Sequence, residues 1–183
     1  MSQSEQVTPT ALQELLQDGQ LAGSWTLDAA RSEIGLKSKS VWGLVTVKGV
    51  FREVTGSGTV SAAGDVAGTV TVAAGSIDTK MKKRDEHLRS ADFFDVANNP
   101  DISFAAERVT PAGEGVTVAG TLTVRDRARP VSLAARVSGF DGTHLELDGE
   151  VQVNRMDFGL TWNQLGMVSP NSTISVHAVF TRQ

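Results

Sequence analysis

The sequence predicts an all-β fold, a meander of eight or so antiparallel strands, and three observations carry that expectation. Apolar and polar residues alternate at every second position through most of the chain, the period of a strand with one wet face. Short turns such as Ala63-Gly64-Asp65, Ala112-Gly113-Glu114-Gly115 and Phe140-Asp141-Gly142-Thr143 separate the alternating runs. One charged, helix-compatible stretch, residues 76–96, breaks the period and must cross between strands rather than belong to one.

Size and charge narrow the possibilities further. With 183 residues, 40% of them hydrophobic and 21% charged, the chain suits one globular domain with a substantial core. The lack of cysteine excludes disulfides, thiolate metal sites and a cysteine nucleophile. A net charge of −4, with no basic stripe interleaved with aromatics, argues against nucleic acid as a partner. No stretch is long and apolar enough for a helical membrane span. Met1 to Val7 also lacks the basic start and apolar run of a signal peptide, so the expected location is cytoplasmic.

Thr8 to Gly19 reads as a short amphipathic helix, with threonine as N-cap, Pro9 tolerated in the first turn and Gly19 as the stop. Leu12, Leu15 and Leu16 share one face, which can plug a barrel end, meet a partner or dock on the outside. From Trp25 onward strands dominate. Ile34 and Leu36 carry the apolar phase on even numbers, whereas Val45, Val47 and Phe51 carry it on odd ones. A β-bulge near Gly43 produces such a slip, so 33–52 is expected as one long bent strand. Further strands are expected at 57–61, 67–74, 101–108, 116–124, 131–139, 144–154, 158–162 and 173–181. The alternation is cleanest from Leu145 to Val153, where odd positions are apolar or glycine and even ones acidic or amide. A sheet of this size closes on itself or folds into a sandwich, and closure removes exposed edges.

Signals for catalysis are weak. His87, His144 and His177 are isolated in sequence, and no HExxH, GxSxG, Walker or GxGxxG signature occurs. Asp85, His87 and Asp92 are imaginable as metal ligands or an acid/base set, but such residues on a charged helix are usually solvated or paired with lysine and arginine. No catalytic residue and no metal site is therefore expected. Lys80, Lys82, Lys83, Arg84 and Arg89 pair with Asp78, Asp85, Glu86 and Asp92, and Arg125, Arg127 and Arg129 keep a tight turn soluble, unless either group holds a phosphate or carboxylate.

The interior leaves two alternatives. Trp25, Trp42, Phe51, Phe104, Phe158, Trp162 and Phe180 can fill a barrel completely. Small residues in or beside the strands, among them Gly49, Gly120, Ala135, Gly149 and Ala178, can instead leave an elongated space that accepts an apolar chain.

Several motifs point to a family. Trp25-Thr26-Leu27-Asp28 precedes Arg31-Ser32, and Val47-Lys48-Gly49-Val50-Phe51 follows. Ser76-Ile77-Asp78-Thr79 leads to Arg84-Asp85-Glu86-His87-Leu88-Arg89-Ser90-Ala91-Asp92-Phe93-Phe94 and then Pro100-Asp101-Ile102-Ser103-Phe104. Gly120-Thr121-Leu122-Thr123-Val124, Arg129-Pro130-Val131 and Arg155-Met156-Asp157-Phe158-Gly159 extend the likeness. Over about residues 24–182 the chain resembles the YceI-like proteins, bacterial lipocalin-like barrels associated with polyisoprenoid binding. The resemblance implies an eight-stranded antiparallel lipocalin-like barrel over 24–183, preceded by an N-terminal extension, 1–23, that holds the helix. It implies helical pieces of the insert capping one end, with Phe93-Phe94 tucked into it, and a polyprenol or polyprenyl quinone in the channel. Dimers occur among such proteins, which admits a homodimer.

Departures from the family pattern are local. Ser38 and Ser40 stand where an apolar residue and a histidine are frequent, an apparent extra residue follows near Trp42-Gly43, and Asp126-Arg127-Ala128 replaces a glycine-containing turn. Two inward serines make part of the wall polar.

The resulting expectation is a non-enzymatic protein that binds, carries or sequesters an isoprenoid or other long-chain lipid, with no cofactor besides that ligand. The expected walls are Ile34, Leu36, Val47 and Phe51 from the long bent strand over 33–52, and Val70, Val72, Ile102 and Phe104 from the middle of the chain. Leu122, Leu147, Val151, Phe158, Leu160, Ile174 and Val176 complete them, with Ser38, Ser40 and Trp42 at the altered segment. The competing expectation is a filled-barrel interaction or stress-response module acting through its surface. A third is hydrolase-like chemistry at Asp85 and His87.

Overall fold

Strands with one apolar face must bury it. In the computed structural model, which describes residues 7–183, they do so by forming one antiparallel sheet closed on itself. The strands are β1 (Gly23–Leu27), β2 (Glu33–Ser40), β3 (Val45–Phe51), β4 (Val54–Val60), β5 (Val66–Ala73) and β6 (Ile77–Asp78), then β7 (Asp101–Ala112), β8 (Gly115–Val124), β9 (Arg127–Phe140), β10 (His144–Asn154) and β11 (Asn171–Arg182). The ring runs β1-β4-β5-β7-β8-β9-β10-β11 and closes where Trp25, Thr26 and Leu27 pair with Arg182, Thr181 and Phe180. This is the predicted eight-stranded antiparallel barrel.

Three of its staves are broken at one level. A 3-10 turn at Ala29–Arg31 separates β1 from β2, Arg52 and Glu53 separate β3 from β4, and a second 3-10 turn at Ala74–Ser76 separates β5 from β6. Above the breaks, β2, β3 and β6 continue the wall as a short leaf that joins the ring through β11.

The expected single strand over 33–52 is instead the β2–β3 hairpin, with Ser40 paired to Val45 across a four-residue turn. Ile34 pairs with Phe51 and Ser38 with Val47, so even positions of one strand share a face with odd positions of the other. A four-residue turn and a one-residue bulge flip parity identically, and only the pairing separates them. The expected strand at 158–162 is also absent. Arg155–Phe158 forms a 3-10 turn that ends on Gly159 at φ 76, a conformation glycine adopts without strain.

The N-terminal helix is α1 (Pro9–Gln17), and the Thr8 hydroxyl accepts from the Ala11 N–H at 3.2 Å as its N-cap. Its buried Leu12 packs with Leu21, Trp25, Val116, Val118 and Val137, so α1 plugs one end of the barrel. The Trp25 indole donates to the Leu21 carbonyl at 2.9 Å, and Arg182 stacks over its ring at 4.7 Å. The segment Met1–Gln6, read above for a leader, lies outside the described residues.

The crossover carries α2 (Lys82–Arg89) and covers the other end. Phe93 and Phe94 are buried in the main core, Phe94 lying 6.0 Å from Phe51 between ring centroids.

Candidate functional site

Between the two ends lies a cavity of about 410 Å³, inside the range of ~300–1,000 Å³ typical of ligand pockets. The barrel is therefore not filled. Its deep part is bounded by Val118, Leu133, Ala135, Leu147 and Gly149, above the cluster that α1 seals. Its upper part is bounded by Val47, Leu88, Phe93, Trp162 and Val168 at the α2 end.

Phase alone placed most of the wall. Ile34, Leu36, Val47 and Phe51 line the cavity from β2 and β3, and Val70, Val72, Ile102 and Phe104 from β5 and β7. Leu122, Leu147, Val151, Ile174 and Val176 line it from β8, β10 and β11. Phe158 and Leu160 line it too, from the 3-10 turn and the segment after it rather than from a strand. Trp42 is the exception: at the tip of the β2–β3 turn it is 66% exposed and outside the cavity. An exposed turn set by two left-handed residues aims its side chain away from the barrel axis.

Space in the cavity does not come from every small residue. A Cβ on Gly120 would lie 2.8 Å from the Phe104 ring, and one on Gly49 would lie 2.9 Å from Ile77. These glycines make room for neighbours. Ala135, Gly149 and Ala178 do face the cavity.

The polar groups of the lining collect at the α2 end. Ser38 and Ser172 sit opposite each other on β2 and β11, and Ser40 follows toward the turn. Arg84, His87, Arg155 and Lys39 border the same end, and no aspartate or glutamate lines the cavity among the described residues. The His87 ring packs edge-on to Trp162 and Phe93, at 4.4 and 5.1 Å, while its Nε2 meets Asp92 Oδ2 at 2.8 Å. Asp85, by contrast, is buried and accepts from the Thr79 N–H at 2.9 Å and the Thr79 hydroxyl at 2.5 Å. The imagined Asp85, His87 and Asp92 set is therefore split between two networks. Among the described residues no group of three His, Cys, Asp or Glu could hold a metal. His144 and His177 also meet aspartates, Asp141 at 3.0 Å and Asp148 at 2.8 Å, so each histidine is an Asp pair rather than an isolated ring.

Guanidinium groups hold the cap, and they do so on carbonyls. Arg155 is buried and donates to the carbonyls of Ser169, Leu160, Trp162 and Val168, at 3.0, 2.5, 2.9 and 3.2 Å. Burial pushes its pKa down. Arg84 donates to the Thr79 hydroxyl and carbonyl, and Arg89 to the carbonyls of Gly75 and Ile77. Of these, Arg84 and Arg89 belong to the basic cluster expected to pair with neighbouring carboxylates. In the fold they spend their planar forks on backbone that would otherwise be left without donors. Among the described residues only Asp78 follows the expected pattern, meeting Lys80 of that cluster at 3.2 Å, and also Arg52 at 3.0 Å.

The model of the family described as YceI-like domain matches residues 25–180. A UPF0312 protein of Enterobacter sp. strain 638 is 32% identical over 120 residues, 62% of each chain. Protein YceI of Salmonella arizonae is 33% identical over 97 residues, 50% of this chain and 51% of its own. The chain thus spans between half and about three-fifths of the curated relatives it matches. Among solved structures, Burkholderia cenocepacia BcnA superposes with a TM-score of 0.75 at 23% identity, over 84% of this chain and 98% of BcnA. A polyisoprenoid-binding domain from Saccharophagus degradans gives 0.69 at 13% identity, over 87% and 98%. The YceI protein of Campylobacter jejuni gives 0.62 at 25% identity, over 74% and 86%. The first two likenesses speak for the fold alone.

Proposed function

The chain belongs to the YceI-like family, and on that premise we propose that its barrel binds, carries or sequesters a long apolar ligand, an isoprenoid lipid such as a polyprenol or polyprenyl quinone. The observation that carries this reading is the cavity itself: about 410 Å³ walled on nearly all sides by hydrocarbon side chains. Water in such a space makes few hydrogen bonds, and an apolar chain displaces it favourably. A chain that buries about 300 Å² of apolar surface gains roughly 7 kcal/mol before ordering costs. The Saccharophagus degradans neighbour, a polyisoprenoid-binding domain, shows that a barrel of this fold can serve that ligand class.

The rim supports a preference for the head of that ligand. Serine hydroxyls with Arg84 and Arg155, and no aspartate or glutamate in the lining among the described residues, suit a head that accepts hydrogen bonds or carries negative charge, and disfavour a cationic one. We read the protein as a binder and not an enzyme, with no cofactor. The cavity supports this over the filled-barrel interaction module.

Native mass spectrometry of protein purified from its own host tests the reading. A co-purifying lipid is expected, and its reproducible absence overturns the proposal. Leu122→Trp places a large ring in the cavity and is expected to lower lipid occupancy while the protein stays folded.

A further inference from the structure

Exposed large apolar side chains concentrate on two loops at the α2 end of the barrel. Trp42 is 66%, Leu44 83% and Val45 44% exposed at the β2–β3 turn, and Leu165 is 76% exposed on the segment that follows the Arg155 turn. The two loops are tied together: the Trp42 N–H donates to the Met167 carbonyl at 3.2 Å, and the Ser169 N–H to the Lys39 carbonyl at 3.0 Å. Val41, Trp42 and Leu165 hold left-handed backbone, at φ 51, 51 and 55. β-branched and bulky residues rarely adopt it, and such outliers gather at functional positions.

Charge on the part of the hairpin nearest the tips has one sign, Glu33 lying at the far end of β2. Lys37 and Lys48 lie directly opposite each other on the outer face of the hairpin, a pairing of like charges that costs sheet stability, and Lys39 follows toward the tip. None of the three enters an ion pair among the described residues. Neither Gly35–Phe51 nor residues 159–183 contain an aspartate or glutamate.

We propose that these two loops dock the mouth of the barrel onto an anionic lipid bilayer, with Trp42, Leu44 and Leu165 entering the interface and Lys37, Lys39 and Lys48 facing the headgroups. Two protruding tips suit insertion between lipids better than a flat protein contact. Tryptophan favours the interfacial depth, and lysines near the surface are drawn to anionic leaflets. The tips flank the polar end of the cavity, at Ser40 and Val168. A lipid could then pass between bilayer and barrel with little exposure to water. The inference rests on the exposed rim and not on what the cavity holds.

The test is co-sedimentation of the full chain with phosphatidylcholine vesicles, with and without phosphatidylglycerol. Binding is expected only with the anionic lipid, falling as salt rises, together with a blue shift of Trp42 emission that Trp42→Phe removes. The combined variant Trp42→Ser, Leu44→Ser, Leu165→Ser is expected to lose about tenfold or more in partitioning. Lys37→Gln, Lys39→Gln, Lys48→Gln together should lose about a hundredfold, near fivefold per charge removed from the surface. Both sets are solvent-exposed, and thermal melts confirm that they fold. Failure of the native chain to bind anionic vesicles overturns the proposal, as does unchanged binding by the serine variant. Sedimentation velocity that shows the native chain as a dimer and the serine variant as a monomer overturns it too. Leu122→Trp should bind vesicles like the native chain, so loss of the isoprenoid reading and loss of this one are separate results.

Discussion

The two ends of the barrel are built from the same alternating strands and held by the same device, yet one is solid and the other hollow. At the α1 end, Arg182 clasps the carbonyls of Gln20, Ala22 and Gly142, and beneath it Leu12, Leu21, Trp25, Val116 and Val137 pack as one buried cluster, leaving only a small cleft of about 160 Å³ between α1 and the barrel at Leu12, Leu16 and Val116. At the α2 end, Arg155 clasps four carbonyls, but beneath it the walls stand apart around the cavity. The clasp organises backbone at both ends; only the side chains underneath decide whether the space is filled. Stability and capacity are thus assigned to opposite ends.

The largest effect is expected where filling does the holding. Trp25→Ala removes the centre of the closed end and is expected to cost about 3–5 kcal/mol by denaturant titration, with lipid per folded molecule unchanged. Arg155→Ala strips donors from four carbonyls and is expected to cost roughly 2–3 kcal/mol and to speed exchange of any bound lipid. Arg155→Lys keeps the charge but not the fork, and is expected to recover little. Leu122→Trp inverts the pattern: about 1 kcal/mol or less in stability, because the cavity takes the ring, against most of the lipid occupancy. If Trp25→Ala empties the cavity, or Leu122→Trp unfolds the chain at ambient temperature, the division between the ends fails.

The smallest effect concerns the crossover strap. The Asp78 carboxyl is lowered to about 2, first by the Lys80 backbone N–H and then by the Arg52 and Lys80 side chains. A carboxylate depressed in the fold stabilises above its unfolded value, near 3.8, and that contribution fades as pH falls through about 2. Asp78→Asn is therefore expected to lower the melting temperature slightly from neutrality down to about pH 4, the two curves converging toward pH 2.

Sequence and structure agree where a period carries the information. The inward phase of β5, β7, β8, β10 and β11 is visible as alternation, so Val70, Phe104, Leu122, Val151 and Ile174 could be placed on the wall without coordinates. Phe158 and Leu160 face the interior from a 3-10 turn and the segment after it rather than from the expected strand, while Met156 and Leu165 of the same stretch are exposed, so hydrophobicity alone does not separate them. Parity failed at 41–44, since a turn and a bulge shift it alike. Trp42 failed with it, because size and hydrophobicity favoured the interior while the left-handed turn turned it out. Arg155 opens one of the family motifs, yet its role as a clasp is not legible there. Its partners lie 5 to 14 residues ahead along an aperiodic segment and are backbone carbonyls, which every residue possesses.

The broken staves have a kinetic consequence. Below the breaks every strand of the ring has a partner on both sides, whereas above them β3 has β2 on one side and only the two residues of β6 on the other. Amides in the Val45–Gly49 stretch that face away from β2 should therefore exchange with solvent deuterium far faster than those of β8 or β10, without global unfolding. The barrel thus behaves as two tiers, a slowly exchanging ring and a leaf that breathes on it.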